Sequence, residues 1–290
     1  MINFYIPDFY EFYRINTALI SLLAEFPYKF HDNIKISAIY GCFPNQIWNG
    51  GRYLGGTSAD ISNIEATIKA INDLGVPIRF TYTNSLIREE HLSDRQCNFI
   101  TDVAHNGMNE ILVNSPLLEE YLRKKYPNYK YISSATRCIR DIDKLNELID
   151  SNKYHLVLGD YRDNFNIDFL NKINNKDKVE ILIDPICKLD CKLREVHYLY
   201  ISQKQLGDEL TYKDPECECE NLSFHDLLKK DSIIKMEDIY GKYYNMGFKH
   251  FKLEGRNSFF IDVVDSYMYY LVKPEFQNEI RNFLVKSFVY

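Results

Sequence analysis

Short runs of β-branched and other apolar residues alternate along the chain with longer stretches whose apolar positions recur every three or four residues. That alternation is the mark of repeated strand–helix units and a parallel sheet. The short runs predict strands over 2–6, 34–40, 77–82, 110–114, 130–133, 155–158, 179–183 and 248–253. Helices are predicted over 9–24, 59–74, 91–105, 116–125, 141–150, 167–174, 236–246 and 259–271. Eight such units favour closure into a (β/α)8 barrel of the TIM type. The alternative is an open doubly wound sheet. Against it, the first strand runs into Pro7-Asp8-Phe9-Tyr10, where a dinucleotide-binding fold carries a glycine-rich turn.

A length of 290 residues suits one barrel domain spanning 1–290. Two connections exceed what a minimal barrel needs: 42–58 after the second strand, and an insertion over 186–235 after the seventh. Both follow strand C-termini, the face on which barrel enzymes keep their chemistry, and long loops in compact domains commonly serve as lids or binding loops. The last segment, 274–290, has helical spacing and is read as a helix packed on the barrel.

With 46% hydrophobic and 14% aromatic residues, the chain can fill a sizeable core. The formal charge of −6, with basic residues dispersed among acidic ones, argues against a broad cationic surface for nucleic acid. The opening residues lack the layout of a secretion signal, and no apolar run approaches the length of a membrane span. The expectation is a cytoplasmic protein with no membrane partner. Its seven cysteines are then reduced thiols or metal ligands rather than a disulfide framework.

The densest chemistry lies in the segment ILIDPICKLDCKLREVHYLY, beginning in the seventh strand. Cys187 and Cys191 stand four apart, with Arg194, His197 and Tyr198 following; Cys217 and Cys219 come after a polar loop. Two thiol pairs suit a tetrahedral zinc, and three of these cysteines with Cys42 suit an iron-sulfur cluster. Cys217-Glu218-Cys219 is tighter than the usual zinc spacing, so incidental free thiols are the competing reading. Arg194 holds the place where a radical S-adenosylmethionine enzyme would carry a third cysteine, and the motif follows the seventh strand instead of the first; that assignment is rejected.

A second constellation is GFKHFKLEGR near the eighth strand. Alternation puts Phe248, His250, Lys252 and Glu254 on one side, the side expected to face into the barrel, and places Glu254 and Arg256 at its rim. A carboxylate and a guanidinium there suit an acidic substrate, general acid–base work or a structural ion pair. Further rim candidates for substrate binding are Asn84, Asn114, Ser134 and Asp160, each at or just past a strand end, with Trp48 and Arg52 on the loop after the second strand.

The strand order, the cysteine-bearing insertion and the GFKHFKLEGR motif together resemble the collagenase-like peptidase family, peptidase family U32. Lys252, Glu254, Gly255 and Arg256 match that family's eighth-strand motif, and Cys187 matches the first cysteine of its insertion. The family's further cysteines and glycines are replaced here by Cys191, Arg194 and His197, then Cys217 and Cys219. The resemblance implies a barrel with a cysteine-held iron-sulfur cluster, and a role in hydroxylation or modification of a small or nucleobase substrate. A zinc-dependent hydrolase or peptidase and a non-catalytic accessory protein with an unknown protein partner are the alternatives. No GxSxG or HExxH motif supports proteolysis. The expected roles are catalytic for Glu254, Arg256, His197 and Arg194, and metal-binding for Cys42, Cys187, Cys191, Cys217 and Cys219. The three cysteines 42, 187 and 191 are expected to converge on the C-terminal face.

Overall fold

The computed structural model describes residues 1–51, 59–215, 222–255 and 259–289. Eight parallel strands close into a barrel in sequence order: β1 (Ile2–Pro7), β2 (Ile34–Gly41), β3 (Ile78–Tyr82), β4 (Glu110–Val113), β5 (Lys130–Ser133), β6 (Leu156–Leu158), β7 (Val179–Leu182) and β8 (His250–Lys252). The seam is β1 against β8, with Asn3, Phe4 and Tyr5 opposite His250, Phe251 and Lys252. The predicted (β/α)8 barrel is therefore the fold, and the open-sheet alternative falls.

Helices α1 (Tyr13–Glu25), α2 (Ile61–Asp73), α3 (Arg95–Val103), α4 (Pro116–Lys125), α5 (Ile142–Asp150) and α6 (Ile167–Asn171) follow the first six strands. Their starts are written locally. Asp94, Ser115, Asp141 and Asn166 each accept a hydrogen bond from a backbone N–H of the first turn, and Pro116 sits where no intrahelical N–H is required. After β7 come α7 (Arg194–Leu206), the single turn α8 (Phe224–Leu227), and α9 (Met236–Asp238), which runs on into a π-turn over Ile239–Tyr243. Helices α10 (Phe260–Leu271) and α11 (Gln277–Val289) complete the chain. No helix among the described residues is long and apolar enough to cross a membrane.

Strand alternation divides the apolar residues into two cores. The outward set, including Phe4, Ile39, Phe80, Ile111, Val157, Ile181 and Phe251, packs beneath the helices. A smaller inward set, Tyr5, Ala38, Tyr40, Leu112, Ile132, Leu156 and Leu158, fills the barrel. Below it the interior turns polar: buried Arg79 donates from Nε to Glu110 Oε2 at 2.7 Å and from Nη1 to Glu180 Oε2, and its guanidinium lies 4.0 Å from the Tyr5 ring. This floor lies at the N-terminal ends of the strands, the end of such barrels associated with stability, away from the chemistry.

Candidate active site

At the C-terminal end, the motif of the eighth strand behaves largely as its alternation predicts. Lys252 points inward with Nζ 3.7 Å from the Tyr40 ring centroid; lower in the barrel, level with Glu180 of the floor, His250 Nδ1 meets Tyr5 Oη at 2.7 Å. Phe248 departs from the expectation: it precedes the strand and packs in the outer core against Tyr243. Glu254 stands at the rim, where its Oε2 accepts from the Ile186 N–H at 2.9 Å and so ties the start of the β7–β8 connection to the eighth strand. Its own N–H donates to Asp184 Oδ1 at 2.5 Å, and Ser266 Oγ donates to Asp184 Oδ2 at 3.0 Å. Burial pushes the Asp184 carboxyl up to about 8, with the neighbouring Glu254 charge adding to the rise. Gly255 completes the turn: a Cβ there would lie 2.3 Å from Pro7 Cβ and 2.4 Å from Pro7 Cγ, so the position takes only glycine. Arg256 lies outside the described residues, as do Arg52, Cys217 and Cys219.

Of the predicted rim residues, Asn114 lines a cavity of about 420 Å³ between the ends of β4 and β5 and helix α7. Asn114, Thr136, Arg137, Cys138, Glu195 and Tyr198 contribute to its wall. Asn114 Nδ2 donates to Thr136 Oγ1 at 2.6 Å, and Thr136 Oγ1 lies 2.8 Å from Ser134 Oγ, so two predicted rim residues meet through a third that the sequence did not flag. Arg137 and Cys138 were also missed. Cys138 adopts a left-handed backbone (φ 52°, ψ 41°), rare for a residue with a side chain, and carries no glycine or asparagine to signal the turn. Burial pushes its thiol up to about 11, against the lowering pull of Arg194, so it is a thiol rather than a thiolate at neutral pH.

Behind the cavity, Asp160 accepts from Arg162 through both oxygens, at 2.9 and 2.7 Å, and lies 3.8 Å from Arg194 Nε. Burial alone would raise the Asp160 carboxyl; the Arg162 hydrogen bonds and the Arg194 charge outweigh it and hold the group below its usual range. Arg194 opens α7, with its guanidinium 4.4 Å from the Tyr161 ring and 5.0 Å from the Tyr198 ring. His197, one turn on, is half-buried with its ring edge-on to Tyr198.

Other predicted residues do structural work. Trp48 is fully buried, edge-on to Tyr82 and Tyr121, with Nε1 donating to the His91 carbonyl at 2.8 Å, and so anchors its loop. Asn84 is buried and donates to the carbonyls of Ile47 and Ser202, which fastens α7 to the second and third loops. Gln205 reinforces that attachment by donating to the Gln46 carbonyl at 3.3 Å.

Cys42 is buried in the core, whereas Cys187 and Cys191 are half-buried on a loop pinned by Tyr161 Oη to the Lys188 carbonyl and by Arg162 Nη1 to the Cys191 carbonyl. Among the described residues no three histidine, cysteine or acidic side chains are grouped as a metal ion would need. The described residues thus supply Cys187 and Cys191 as two thiols, and do not by themselves supply the further ligands a cluster needs. None of the five described cysteines is in a disulfide.

No protein-family model and no curated protein sequence matches the chain. Among solved structures, it is similar to that of the U32 peptidase Mk0906, with a TM-score of 0.55, 12% sequence identity, and coverage of 88% of this chain and 93% of that one. At that identity the likeness establishes a common fold.

Proposed function

We propose that the chain is an enzyme of the U32-like barrel type that modifies a small-molecule or nucleobase substrate at the C-terminal mouth of the barrel. The observation that carries this reading is the cavity over β4 and β5. It lies on the face where barrels of this kind work, and polar groups converge on it from two strand ends and from α7. Asn114 donates one amide N–H to Thr136, and its amide retains a second N–H donor and a carbonyl acceptor for a substrate. Tyr198 supplies an aromatic face, and Arg137, held by Glu119 and Tyr154, supplies fixed positive charge.

An iron-sulfur cluster on Cys187 and Cys191, completed by Cys217 and Cys219, is part of the proposal; zinc on the same thiols is the alternative. Such a cluster would supply electron transfer, and no step is assigned to it here. Peptidase chemistry draws no support from the cavity, whose described lining offers hydroxyls and a protonated thiol but no histidine to activate them.

Iron and acid-labile sulfide analysis of anaerobically purified protein, joined to metabolite and nucleoside profiles of cells lacking it, tests the reading. Both elements should be present, and a product should vanish that wild-type protein restores and Asn114→Ala does not. Iron-free protein whose removal changes no product would overturn it.

A further inference from the structure

The residue that stands out at the mouth is Arg194. Only 6% of it is exposed, yet among the described residues its guanidinium makes no hydrogen bond, and Nε is buried without a partner. Its nearest carboxylate, Asp160, is 3.8 Å away and already bridged through both oxygens by Arg162. A desolvated guanidinium needs its N–H groups satisfied, and two flanking tyrosine rings stabilise its charge without accepting those protons in plane. Behind the cavity wall, Arg137 shares the single carboxylate of Glu119 with Arg123 and Lys153, so positive charge exceeds negative around that carboxylate. Arg194 is also the first residue of the 13-residue helix α7, whose N-cap Leu193 has no side chain to cap the free N–H groups.

We propose that Arg194, with Arg137 and the polar pair Asn114 and Thr136, forms a subsite for a small oxyanion, a carboxylate or phosphate group carried by the substrate. The guanidinium lies against Tyr198, and its charge acts on Cys138; both of these residues line the cavity. Planar N–H groups of arginine match the oxygens of either anion, and the Tyr161 and Tyr198 rings packed against the guanidinium restrict its movement. Glu195 sets the opposing charge at the entrance, exposed and 3.7 Å from Arg162. As a statement about substrate the inference rests on the enzyme reading above; as a statement about binding it does not.

The test is calorimetric titration of the full chain with inorganic phosphate and, separately, with malonate, in chloride of matched ionic strength. Saturable binding of phosphate alone identifies a phosphate site, of malonate alone a carboxylate site, and of both a general oxyanion site. Arg194→Met should weaken binding about tenfold or more, as loss of a charged hydrogen bond requires. Glu195→Gln, at an exposed position that leaves the fold intact, should tighten it severalfold. No saturable binding of either anion overturns the proposal, as does binding unchanged in Arg194→Met. If Arg194→Met does not fold, unchanged affinity in Glu195→Gln overturns it instead. Anion binding by an iron-free protein whose removal changes no product would refute the enzyme reading and leave the subsite standing.

Discussion

Replacing Asp184 with asparagine should stabilise the protein relative to wild type by an amount that grows as pH rises. Asp184 is buried, and its carboxyl titrates near 8 instead of the usual 3.8. Between those two values the folded chain keeps a proton that the unfolded chain has released. Stability then falls by about 1.4 kcal/mol for each pH unit, because the native state binds more protons than the unfolded one. By pH 7 the accumulated loss is on the order of 4 kcal/mol, and it levels off once the native carboxyl also ionises above pH 8. Asparagine copies the protonated form: its oxygen accepts from the Glu254 N–H, and its NH2 donates to Ser266 Oγ. Urea unfolding of both proteins at pH 5, 6, 7, 8 and 9 measures the difference. The advantage of Asp184→Asn should be small at pH 5, grow by several kcal/mol up to pH 8, and then flatten. Parallel pH profiles for the two proteins, or an advantage that shrinks with rising pH, would refute the argument that burial holds this carboxyl in its neutral form.

Three further substitutions probe other parts of the fold. Arg79→Met strips Glu110 and Glu180 of their buried partner and should cost about 3–5 kcal/mol in chemical unfolding; a cost below about 1 kcal/mol would mean that the floor of the barrel does not depend on this charge. Gly255→Ala drives a methyl into Pro7 and should destabilise by about 1–3 kcal/mol or more, with wild-type stability counting against the close approach of the two chains. Trp48→Phe loses packing and the hydrogen bond to His91, so a drop of about 1–3 kcal/mol is expected with phosphate affinity unchanged; an altered affinity at wild-type stability would return Trp48 to the ligand.

The barrel was legible because its strands are short β-branched runs separated by capped helices, so local chemistry and global topology agree. Local disagreements were equally physical. The helix predicted over 91–105 divides at Asp94, which caps α3 by accepting from Cys97 N–H, and the sequence Ser93-Asp94 carried that signal. Parity in the eighth strand fails at Phe248 because Gly247, at φ +104°, breaks the extended backbone before the strand begins. The mouth was only partly readable. Asn114, Ser134, Asp160 and Arg194 follow from position at strand ends and in the insertion, but their bonds to Thr136 and Arg162 are products of three-dimensional packing. Trp48 and Asn84 carry the same residue-level signal as binding groups, and only their buried partners reveal them as anchors.

Helix α7 belongs in sequence to the connection between β7 and β8, yet its far end is fastened to the loops after β2 and β3 through Asn84 and Gln205. During synthesis, the first half of the barrel therefore leaves the ribosome with these attachment points unfilled, more than a hundred residues before the helix that occupies them. The barrel seam waits longer still, since Asn3 cannot pair with His250 until nearly the whole chain has emerged. Contacts so distant in sequence make for slow, late closure. Amide-exchange labelling during refolding should accordingly find the N–H of Leu253, which donates to the Tyr5 carbonyl across the seam, among the last to be protected. The mouth of the barrel is assembled at the end of folding, so a chain arrested before its eighth strand would hold all of the cavity's lining side chains without the closed barrel that arranges them.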